Sequence, residues 1–153
     1  MGLDMYLNAR RFLWTGWKDH CEPDDDIADA IRAAMPDMGD MLPKYVIAEA
    51  AYWRKDNHIH KWFVDNVQNG NDDCGDYYVS REQLTQLANL CDQVLGNRSR
   101  AKELLPTQAG FFFSGTEYDE YYYKSLEYTR DRLRQLTAKG SFPKWVFYYH
   151  SSW

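Results

Sequence analysis

The sequence predicts an α+β fold: a single domain over residues 1–153 in which a small, mostly antiparallel sheet packs against three main helices at about 45–67, 81–96 and 117–139. Three observations carry this prediction. Leu3, Met5 and Leu7 alternate with Asp4 and Tyr6, the period of a half-buried strand. Three longer stretches repeat apolar residues at helical spacing. A chain of 153 residues is long enough for one core and too short for two comfortable ones.

In chain order, Gly2 to Leu7 is the first strand. Arg10 and Arg11 with Phe12, Trp14 and Trp17 fit a second strand, a loop over the core or part of a binding surface. Acidic Glu22 to Asp26 precedes a short helix, IADAIRAAM, whose N-terminal acids suit the helix dipole, and Pro36, Gly39 and Pro43 then make a loop. Residues 8–43 thus read as an excursion rather than a domain.

Wound at about 100° per residue, 45–67 places Tyr45, Val46, Ala50, Tyr52, Trp53, Ile59, Phe63, Val64 and Val67 on one arc. Opposite lie Arg54, Lys55, His58, Lys61, Asp65 and Asn66. Asn69 to Asp76, NGNDDCGD, is a turn; Tyr77 to Val79 is a short strand. Ser80 with Gln83 forms a capping box opening a helix of Leu84, Leu87, Ala88, Cys91, Val94 and Leu95 that Gly96 stops. The basic run NRSRAK reads as a solvated turn, or more sharply as an anion contact. Phe111 to Phe113 is a buried strand, and Thr116 with Asp119 caps a helix to about Lys139 with Tyr118, Tyr122, Leu126, Leu133 and Leu136 partly inward. Trp145 to Trp153 is a final strand suited to pair with Gly2–Leu7.

Glu49, Asp56, Asn57 and His60 break the apolar arc of the 45–67 stretch, where an unpaired polar group is costly to bury. Asp56 and His60, four apart, can touch on a helix surface, and Trp53 lies one turn before Asn57. The candidate ligand-binding set is Trp53, Arg54, Asp56, Asn57, His60, Lys61 and Tyr118. The competing structural role is a buried Asp56–His60 pair tying the helix to a neighbouring strand.

A formal charge of −5 argues against a dedicated binder of extended nucleic acid, which needs a clustered Lys/Arg face. Twelve Tyr, six Trp and seven Phe make an aromatic share of 16%, a bias toward stacking pockets and interfaces as well as cores. Cys21, Cys74 and Cys91 lack CxxC spacing, so a reduced, cytoplasmic protein is expected, with no signal peptide and no membrane span. Asp72, Asp73 and Asp76 lack the full calcium-loop pattern. No catalytic residue, metal ligand or cofactor is assigned.

The strings GLDMYL, WRKxNxIHKWFVDNV, DDCGxYYVS, GFFFxxxxYDExYY and FYYxSSW resemble a family of small proteins from tailed bacteriophages and prophages. The resemblance covers the first strand and most of 46–153, while 8–43 look variable. It brings no catalytic motif; it implies a phage accessory protein acting in the cytoplasm of the bacterial host cell.

Three functions are weighed. First is a non-enzymatic binder of a small nucleotide-like ligand, such as a sponge for a host immune signal, with bases stacking on Trp and Tyr and phosphates meeting Arg54 and Lys61. Second is an inhibitor or adaptor acting on a host protein through surface aromatics such as Trp14, Trp17 and Trp62. Third is a small hydrolase with His60 as a base oriented by Asp56, although no nucleophile elbow, P-loop or HExxH is present. A homodimer is the default assembly.

Overall fold

The structure is a computed structural model describing residues 2–15, 24–110 and 115–153. Strand β1 (Asp4–Phe12) runs antiparallel to β2 (Tyr45–Arg54) on one side and to β4 (Val146–Ser152) on the other, and the short β3 (Tyr77–Val79) completes the order β2-β1-β4-β3. The two chain ends thus supply the central strands, Asp4 opposite Ser152 and Arg10 opposite Val146. Helices α1 (Asp25–Ala34), α2 (Asn57–Asn66), α3 (Arg81–Gly96), the one-turn α4 (Ala101–Leu104) and α5 (Glu120–Thr137) fill the connections.

Strand β1 extends to Phe12, beyond the Leu7 limit read from its alternation. The larger correction concerns 45–67, which is a strand followed by a helix and not one helix. Pairing with β1 sets Met5 opposite Trp53 and Leu7 opposite Ala51, but the register shifts between Leu7 and Asn8 and leaves Ala50 without an opposite residue. This β-bulge buries Ala50 and Ala51 together, which erases the period-two signature and leaves spacings that mimic a helix. Lys55, at φ 61°, ends the strand, and Asp56 opens α2.

The capping box is present: Ser80 Oγ accepts from Gln83 N and Gln83 Oε1 accepts from Ser80 N. Helix α5 starts later than Thr116, with Asp119 as its cap accepting from Tyr122 N at 3.0 Å. The strand expected at Phe111–Phe113 lies outside the described residues.

One sheet face carries Met5, Leu7, Trp53, Phe147 and Tyr149, which join Ile59 and Phe63 of α2, Leu84, Leu87 and Cys91 of α3, and Leu126 and Leu133 of α5 in a single core. Phe63 lies flat on Tyr149, ring centres 4.0 Å apart and planes within 8°. Trp53, 2% exposed, packs on Phe63 and donates from Nε1 to Thr129 Oγ1 at 2.8 Å. Its replacement leaves both a cavity and an unpaired hydroxyl. Trp53→Ala is expected to cost about 3–5 kcal/mol in urea denaturation; a loss under about 1 kcal/mol contradicts a core position.

Candidate functional site

Where β2 ends and α2 and α5 begin, the chain leaves a pocket of about 390 Å³. Its lining comprises Arg54 and Lys55, Asn57 and His58 from the first turn of α2, Thr107, and Gly115, Glu117, Asp119, Tyr121 and Tyr122. The Lys55 turn sets the direction in which α2 leaves the sheet. Asn57 then acts as a clamp: Nδ2 donates to the Gly115 carbonyl at 3.1 Å and Oδ1 accepts from Gln108 N at 2.8 Å. Tyr122 Oη donates to the Leu105 carbonyl at 2.9 Å, and Thr107 N donates to Tyr118 Oη at 3.2 Å, so the far wall is tied at both ends.

The expected site residues separate into groups. Arg54 is on the pocket rim, its side chain 64% exposed and 3.8 Å from Asp4. Asn57 lines the pocket but is 1% exposed, its amide serving the clamp. Tyr118 packs edge-on against Tyr122. Lys61 points away and pairs with Asp65 at 2.7 Å. Trp53 is core. Asp56 and His60 do not form the expected side-chain pair; only the Asp56 carbonyl accepts from His60 N, because Asp56 is the non-helical cap residue before α2 (φ −83°, ψ 71°) and its side chain does not follow the i, i+4 geometry of the helix. His60 is 1% exposed, its Nδ1 2.7 Å from Tyr149 Oη and its Nε2 3.0 Å from Asp72, which also accepts from Trp153 Nε1 at 3.2 Å. A buried histidine does tie the helix to a strand, with Asp72 and Tyr149 as its partners.

Asp56, in sequence between the lining residues Lys55 and Asn57, is 5% exposed, with Oδ1 lacking a hydrogen-bond partner. Burial pushes its carboxyl up to about 6, against the smaller opposing pull of the Ser125 and Tyr121 hydroxyls. Neither hydroxyl relieves Oδ1: Ser125 Oγ is itself unpaired, and Tyr121 Oη donates to the Arg54 carbonyl at 2.5 Å. His58, 3% exposed and packed 4.3 Å from Tyr122, is pushed down to about 3 by burial and stands neutral, Nε2 unpaired. The pocket lining thus combines Arg54 and Lys55 with Glu117 and Asp119 and with the rings of His58 and Tyr122.

His58, which the sequence places opposite the apolar arc, is buried, and Asp119, expected as a helix cap, also lines the pocket together with Glu117. Tyr121 and Thr107 were missed; the density of EYDEYYY was the available signal. The acidic turn is fully used internally, since Asp72 meets His60, Asp73 accepts from Tyr77 and Gly75, and Asp76 pairs with Arg10. Among the described residues no cluster of three or more His, Cys, Asp or Glu is placed to hold a metal, and no helix is long and apolar enough to cross a membrane. Of the expected surface anchors, Trp62 is buried, Trp14 is 42% exposed, and Trp17 lies outside the described residues. Comparison with protein-family models, curated proteins and solved structures finds no match.

Asp56 and His58 give opposite pH slopes. Folded Asp56 keeps its proton up to about 6, whereas the unfolded group releases it near 3.8, so its contribution to stability falls as pH rises through that window. Unfolded His58 takes up a proton below 6.5 while the folded group resists until about 3, so its contribution falls as pH drops. Between about pH 4 and pH 6 the two offset each other. Asp56→Asn is expected to unmask the histidine, giving a protein that loses stability steadily on acidification from about pH 6 to pH 4 and that gains about 1–3 kcal/mol at pH 7. Urea midpoints across that range read both effects; a profile unchanged by the substitution contradicts the assignment.

Proposed function

We propose that the chain binds a small nucleotide-like molecule in this pocket without transforming it. The observation that carries the reading is the lining itself: Arg54 and Lys55, Glu117 and Asp119, and the rings of His58, Tyr121 and Tyr122 share one pocket, in a volume typical of small-molecule sites. A heterocycle stacks on the exposed ring of Tyr121, phosphate oxygens meet Arg54 and Lys55, and ribose hydroxyls or ring amines donate to Glu117 or Asp119. Carboxylates beside the cations favour a ligand with donors as well as charge over a bare anion.

Hydrolysis is the weaker reading. His60, the oriented imidazole, is spent on Tyr149 and Asp72 in the interior, and His58 is held neutral without an orienting partner on Nε2. The resemblance to phage proteins extends the proposal, by analogy, to sequestration of a host immune signal in the bacterial cytoplasm.

Native mass spectra of the protein mixed with cyclic and ADP-ribose-type nucleotides test this reading. The expected result is a stoichiometric mass gain with one compound, recovered unchanged after denaturation. Arg54→Ala is expected to weaken that binding about tenfold or more, with little change in melting temperature because the side chain is mostly exposed. A chemically altered compound overturns the non-enzymatic reading, and no gain with any compound overturns the ligand class.

A further inference from the structure

The outer edge of β2 is half closed and half open. Over its C-terminal part, α5 supplies the missing neighbours: Arg132 Nε donates to the Ala50 carbonyl at 2.5 Å, Tyr128 Oη accepts from Tyr52 N at 3.3 Å, and Tyr121 Oη donates to the Arg54 carbonyl at 2.5 Å. From Tyr45 to Glu49 no hydrogen bond crosses that edge among the described residues. Tyr45 and Ile47 are each 59% exposed, on the face they share with Phe12 and Arg10. An open apolar edge is a template for strand addition.

We propose that residues 45–49 pair with the same segment of a second copy of this chain, antiparallel about a two-fold axis through Ile47. Such an axis, perpendicular to the sheet, opposes residues of the same face, so the register moves only in whole-residue steps of the axis. An axis at Ala48 brings Val46 against Ala50, whose carbonyl already serves Arg132. One at Val46 sets Glu49 against Pro43, which has no N–H to donate. The axis at Ile47 sets Ile47 against itself, Val46 against Ala48, and Tyr45 against Glu49, so a tyrosine hydroxyl meets a carboxylate twice. This self-complementarity is what favours a second copy over another partner. Glu49 deters unrelated strands from the edge and is matched in this pairing. Five residues a side bury less than the roughly 1,200 Å² of a standard interface, so the dimer is weak and concentration-dependent.

Sedimentation velocity over a wide concentration range is expected to show reversible monomer–dimer exchange, with Ile47→Lys raising the dissociation constant about tenfold or more at unchanged melting temperature. In a background with Cys21 and Cys74 replaced by Ser, Ile47→Cys is expected to cross-link two chains under mild oxidation, while Tyr78→Cys, on the edge strand at the other side of the sheet, is not. A monomer at every concentration, a dimer indifferent to Ile47→Lys, or equal cross-linking at both positions overturns the proposal. The pairing does not depend on the ligand reading.

Discussion

One helix holds one strand at four points, and the rest of the molecule is arranged by that attachment. Tyr121, Tyr128, Thr129 and Arg132, along a single stripe of α5, bond to Arg54, Tyr52, Trp53 and Ala50 of β2. Three of these bonds satisfy backbone groups that a sheet edge otherwise leaves to water, and the fourth satisfies the indole of a ring that is fully inside the core. A helix so placed closes the core over Trp53. Its first turn then lands beside the end of β2, which makes one wall of the pocket.

The cost of this arrangement shows at the start of α2. The β2–α2 junction drives Asp56 and His58 into low-dielectric surroundings, where the charged form of each is disfavoured, and neither finds full hydrogen-bonding compensation. His60, two residues on, shows the alternative: with Tyr149 and Asp72 on its two nitrogens it is a fastening between helix, strand and turn.

Much of the fold was legible. Alternation located β1, aromatic density located β4, and the Ser80–Gln83 box located the start of α3 to the residue, because each signal depends on neighbours in sequence. The 45–67 stretch was misread because a bulge at Ala50 breaks the alternation on which strand recognition rests. No local pattern distinguishes that break from a helical repeat of Ala50, Trp53 and His60. Of the residues expected from the sequence, Arg54 and Asn57 line the pocket, whereas His58 and Tyr121 were not expected there, since the burial of His58 and the orientation of Tyr121 come from segments more than fifty residues away.

The sequence by itself determined the α+β class, the two terminal strands, the Ser80–Gln83 capping box and the turns, since propensity, periodicity and side-chain-to-backbone bonds act over a few residues. Only the tertiary structure decided that β2 is an edge strand, that α5 closes just half of that edge, and which polar groups are enclosed. Those outcomes depend on which distant surfaces exclude water from one another, and a local pattern of residues does not encode that geometry.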